Sequence, residues 1–165
     1  MTTSREFFLE TLTDETPRFE RVLRAVPADN LDYRPDPRSR SALELASLFA
    51  IEPMMMNVIL EKGVIEASSP TSLSYKNIDE IIKFFNAGIE ATKSKVSAMT
   101  EEDWEVSAKM ISGPTDIWET SKGRMVWSFF FDLIHHRGQL SVYLRPMGAK
   151  VPSIYGTSGD SEGER

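Results

Sequence analysis

Four long stretches of this chain repeat their apolar residues every three or four positions, a spacing that commits them to helices burying one face against each other. The first runs from Ser4 to about Arg24 and carries Phe8, Leu9, Leu12, Phe19, Val22 and Leu23, with a bend predicted at Thr16-Pro17 because proline removes a backbone donor. After a turn-rich connection from Ala28 to Pro37, Ser41-Ala-Leu-Glu44 has the capping-box pattern that starts a helix. That second helix runs to about Lys62 and stops at Gly63, with Leu45, Leu48, Phe49, Pro53, Met56 and Ile59 apolar and a kink predicted at Pro53. A third follows a Ser/Pro/Thr loop, opens at Asn77 with Glu80 in the capping position, and continues to about Met99 on a stripe of Ile78, Ile81, Ile82, Phe85 and Ile89. Thr100 to Trp104 caps a further turn, whereas Val106 to Ser121 is mixed and fits no single period. The last helix spans about Lys122 to Arg145, before Pro146 and Gly148, with Met125, Phe129, Leu133, His136, Leu140 and Tyr143 as its stripe. The expectation is an all-α fold, one domain over residues 1–156, and a disordered polar tail over 157–165.

Composition removes several function classes. A chain of 165 residues can bury roughly two-thirds of its unfolded surface, so it needs no covalent staple. It has no cysteine, which excludes disulfides, thiolate nucleophiles and Cys-based metal sites; any metal must be held by nitrogen and oxygen ligands. A net charge of -6, from 25 acidic and 19 basic residues, argues against a nucleic-acid partner. The densest basic run, Arg34, Arg38 and Arg40, is interrupted by Pro35, Asp36 and Pro37 and reads as a solvated loop. Without a secretory signal pattern or a long uncharged apolar run, the expectation is a cytoplasmic protein with no membrane partner. No Gly-rich phosphate loop or Gly-x-Ser-x-Gly elbow is present.

The chemistry concentrates in Asp132-Leu-Ile-His-His-Arg-Gly-Gln139, which holds both histidines of the protein. Asp132 and His136 are four residues apart, one helical turn, so they can share a proton, a hydrogen bond or a metal ion. His135 lies about a hundred degrees round the helix and cannot chelate the same ion; packing or capping at another helix or a subunit surface is its expected role. Arg137 and Gln139 are read as anchors for neighbouring loops. The runs Met54-Met-Met56 and Phe129-Phe-Phe131 are read as packing rather than a ligand groove.

The run His135-His-Arg-Gly-Gln-Leu-Ser-Val-Tyr-Leu-Arg145, followed by Gly148, Val151-Pro152 and Tyr155-Gly156, resembles the end of the DinB-like (DinB/YfiT) superfamily. Val26-Pro27, Leu31-Asp-Tyr-Arg-Pro35 and Ser41-Ala-Leu-Glu-Leu45 extend the likeness over nearly the whole chain. The resemblance implies a four-helix bundle with long crossover connections, a homodimer, and a divalent metal held by three histidines. Of those three positions, one falls on His136, one on Asp132 and one on Leu48, so two are altered and Leu48 cannot bind a metal. Glu44 and Glu52 each stand one turn from Leu48, and either carboxylate could complete a Glu/Asp/His site. The plainer reading makes Glu44 a capping residue, Glu52 a solvated one, and Asp132/His136 a hydrogen-bonded structural pair.

Two functions follow from the resemblance. In the first, favoured by Leu48, the protein is a bundle with a degenerate metal site that binds a small-molecule ligand or serves as a scaffold. In the second, the alternative, Asp132, His136 and Glu52 hold nickel, zinc or iron for a metal-dependent hydrolase or thiol-dependent transferase.

Overall fold

The computed structural model describes residues 2–66 and 74–160. Four long helices dominate it: α1 (Ser4–Arg24), α2 (Ala42–Lys62), α3 (Ile78–Ala98) and α5 (Lys122–Leu144), with a single turn α4 (Glu101–Glu105) before the last. Each start has a local cause. Thr3 and Glu6, Ser41 and Glu44, and Thr100 and Asp103 form reciprocal capping boxes, while Asn77 and Ser121 each accept from one free backbone N–H. α2 stops where Gly63 takes φ +69°, a left-handed conformation that costs glycine little. Pro17 and Pro53 both lie inside α-helices that continue past them.

α2 packs against α3 and α5, and α1 packs against the same two helices. Where they meet, each long helix contributes one phenylalanine: Phe19 lies 6.0 Å from Phe49, 5.8 Å from Phe85 and 6.0 Å from Phe130, all edge-on. All four rings are fully buried. Burying a side chain of this size contributes about 1.5–3 kcal/mol, so this cluster is a large share of what holds the helices together. α3 reaches α2 closely because residue 88 is glycine: a Cβ there would sit 2.8 Å from the Pro53 ring. α2 has the length and hydropathy of a membrane span, but most of that window is buried inside the protein, which accounts for its composition.

The expected all-α fold is corrected by a small sheet in the order β1-β2-β3. β1 (Val64–Glu66) pairs in parallel with β2 (Ser107–Ile111), which pairs antiparallel with β3 (Ile117–Ser121). The residues without a helical period thus form a hairpin, which leads straight into α5 through Ser121. Its alternation was hard to read because only Ala108 is fully buried. The apolar stripe of α5 is also shifted: Val126 and Phe130 are buried, while Phe129 is only half-buried.

The expected Ser/Pro/Thr loop falls largely on residues 67–73, outside the described residues, as do 161–165. The first part of the expected disordered tail is tied down. Asp160 accepts from Arg145 Nε at 2.9 Å and from the Val151 backbone N–H at 3.0 Å.

Candidate metal centre

α2 and α5 bring three ligating side chains together. Among the described residues, Glu52, Asp132 and His136 place one ligand atom each within 4.8 Å of one another. Asp132 Oδ2 lies 3.3 Å and Glu52 Oε1 4.0 Å from His136 Nε2. Glu52 and His136 are buried, whereas Asp132 is half exposed and forms the rim.

Glu52 is not the solvated helix residue of the plainer reading. It follows Leu45 by seven positions and Phe49 by three, so it shares their buried face, and α5 covers it. Leu48, one turn before it, packs on the core. Glu44 does take the capping role: it accepts from the Ser41 backbone N–H at 2.8 Å and from Arg34 at 2.8 Å, leaving it exposed.

The second nitrogen of His136 is also placed. Nδ1 lies 3.1 Å from Gln139 Oε1, which can accept a hydrogen bond from Nδ1–H, and Nε2 faces the two carboxylates. Gln139 is therefore an exposed partner of the imidazole rather than a loop anchor. Sequence spacing held a signal for this: 136 and 139 are one turn apart on the same helix.

As an anion, Glu52 is not satisfied by the protein. Among the described residues no donor reaches its buried Oε2, and the Asp132 carboxylate can bond to Glu52 only where one of the two acids is protonated. Burial, and then the nearby Asp132 carboxylate and a hydrogen bond to it, push the Glu52 carboxyl up to about 8, offset only in part by Arg40. Two carboxylates facing one imidazole can be satisfied by an N–H on Nε2 donating to Asp132, by a proton shared between the acids, or by a cation among all three. The donor set also fits the last: one imidazole nitrogen and two carboxylate oxygens are ordinary ligands for zinc, nickel or iron.

Arg137 does a different job from its neighbour. It is buried, with its Nη1 donating to Glu15 of α1 and its Nη2 donating to Tyr155 Oη at 2.6 Å. Tyr155 in turn donates to Glu15 at 3.1 Å, Arg18 pairs with Glu15 at 2.7 Å, and the Arg137 guanidinium lies 4.7 Å from the Phe19 ring centroid. The anchor expected of Arg137 is thus real, and its partner Glu15 went unrecognised in the sequence. The signal was its phase, since Glu15 falls between Leu12 and Phe19 on the buried stripe of α1.

His135 is exposed, its ring centroid 5.5 Å from that of His136. It lines a groove of about 400 Å³ between the β2–β3 hairpin and α5, and Asp132 lies in the same wall.

Comparison with known proteins agrees with this architecture. A family model described as the DinB family matches residues 1–164. The crystal structure of a DinB-like protein from Bacillus subtilis, YjoA, is similar with a TM-score of 0.67 at 19% identity, covering 91% of this chain and 98% of that one. A DinB-like protein from Bacillus cereus ATCC 10987 is similar with a TM-score of 0.67 at 18% identity, covering 90% of this chain and 95% of that one. No curated protein matches the chain.

Proposed function

The chain belongs to the DinB family, and on that premise we propose that Glu52, Asp132 and His136 form a rebuilt divalent-metal site in a four-helix bundle. The activity that suits it is metal-dependent hydrolase or thiol-dependent transferase chemistry. The carrying observation is the buried Glu52 carboxylate facing Asp132 and His136 with one oxygen unpartnered. Leu48 removes a ligand from the second helix; Glu52, one turn later, supplies another. That substitution reverses the preference for a degenerate site that Leu48 alone suggested.

A divalent ion in such a site supplies Lewis acidity and lowers the pKa of a bound water or thiol. The protein's own residues do the rest. Gln139 fixes the His136 tautomer, the walls of α2 and α5 keep Glu52 from water, and half-exposed Asp132 connects the group to the groove.

One observation favours a second reading. With the Glu52 carboxyl raised to about 8, a neutral Glu52 can donate to Asp132 and satisfy the pair without an ion. The protein would then be a binding or scaffold bundle. Elemental analysis of untagged protein, followed by titration with nickel, zinc and ferrous iron, separates the two. Stoichiometric binding lost in His136→Ala and Asp132→Ala supports the metal site, and no tight binding of any of the three ions overturns it.

A further inference from the structure

The groove beside the candidate metal centre has a definite chemistry. Met110 and Trp118 are cross-strand partners in the β2–β3 hairpin, so their side chains stand on one face of it, and both line the groove. Opposite them, α5 contributes the rings of Phe129 and Phe131. Phe131 is 58% exposed, yet its ring is held in place by stacking on Trp127 at 5.4 Å. Flat apolar walls of this kind fit an aromatic body through offset and edge contacts. The groove, about 400 Å³, is open to solvent, so it offers a ring two walls rather than an enclosure.

The polar groups then select among aromatic ligands. Asp132 puts a carboxylate in the wall, and among the described residues no lysine or arginine lines the groove, so in the metal-free protein an anionic ligand meets repulsion with nothing to offset it. His135 supplies an exposed imidazole able to donate to, or accept from, a neutral polar substituent.

We propose that this groove binds a small, uncharged aromatic molecule carrying a hydroxyl or similar hydrogen-bonding group, with Trp118 and Phe131 against the ring and His135 on the substituent. As the place of a substrate this rests on the metal reading above, because Asp132 joins the groove to the Glu52/His136 group; as a binding site it stands on the groove alone.

The test is a two-dimensional NMR titration of the metal-free protein with 2-naphthol and, separately, with naphthalene-2-sulfonate. It follows the indole N–H signals of the three tryptophans and the His135 ring, assigned with Trp118→Phe and Trp127→Phe. The expected result is a saturable shift of Trp118 and His135 with 2-naphthol, with the sulfonate at least about tenfold weaker. Trp118→Ala and His135→Phe should each weaken 2-naphthol, the former about tenfold for a lost aromatic contact. Asp132→Asn should narrow the gap between the two probes. Running the titration on His136→Ala, which disables the metal group, separates the two claims. Retained 2-naphthol binding there, in a protein that takes up no metal, leaves the groove standing without the metal site. Metal binding with no response at Trp118 or His135 overturns the groove alone, as does a response confined to Trp127 or equal affinity for the sulfonate.

Discussion

Two buried glutamates on apolar helix faces meet the same stretch of α5 and end up in opposite states. Glu15, from α1, receives hydrogen bonds from Arg137, Arg18 and Tyr155, so its carboxylate is fully partnered within the protein. Glu52, from α2, faces Asp132 and a single imidazole and keeps a buried oxygen that no donor among the described residues reaches. Burying an uncompensated carboxylate costs several kcal/mol, so a fold that keeps one needs a proton or a cation to complete it. The closed cluster reads as structure, and the open one reads as a place for a ligand.

The comparison breaks most visibly at Arg137. Arg137→Ala strips Glu15 of its main counter-charge and should lower stability by about 3–5 kcal/mol in urea unfolding. Glu15→Gln keeps the shape and should cost less, about 1–3 kcal/mol.

At Glu52 the metal-free protein should respond in the opposite sense. A carboxyl raised to about 8 holds its proton more tightly in the folded than in the unfolded chain. The resulting stabilisation is present in full below the ordinary carboxyl range and is lost as pH rises through about 8. Glu52→Gln should therefore be nearly neutral near pH 4 and stabilising near pH 9, measured by unfolding over that range without metal. Metal must displace the same proton, so affinity should rise about tenfold per pH unit up to about 8 and then level off in calorimetric titration.

Smaller effects sharpen the contrast. Gln139→Ala should weaken metal binding about 10–100-fold by freeing the His136 tautomer, with little change in metal-free stability. Tyr155→Phe, in the closed cluster, should cost about 1 kcal/mol of stability and leave metal affinity unchanged.

Much of this was legible in the sequence, and the exceptions have physical reasons. The long helices were readable because a capping residue and an apolar stripe agree at Ser41 and Asn77, and because Pro146 and Gly148 mark the end of the last one. The hairpin was not, because its alternation buries a single small residue fully, Ala108, and its further pairing with β1 spans a long sequence separation. Asp132 and His136 could be paired from spacing alone, being on one helix. Glu52 could only be nominated, since joining it to them depends on how α2 lies on α5. Its phase on the Leu45, Phe49, Met56 stripe was the better clue, and the same clue would have found Glu15. An acid on the buried face of a helix should be matched to a partner before it is assigned to solvent.

The most direct test is anomalous diffraction at the zinc edge from crystals of zinc-loaded, untagged protein. One strong peak is expected at about 2.0–2.2 Å from His136 Nε2 and from an oxygen of each of Glu52 and Asp132. A map with no peak between α2 and α5, or with zinc held elsewhere by His135, would contradict the metal site.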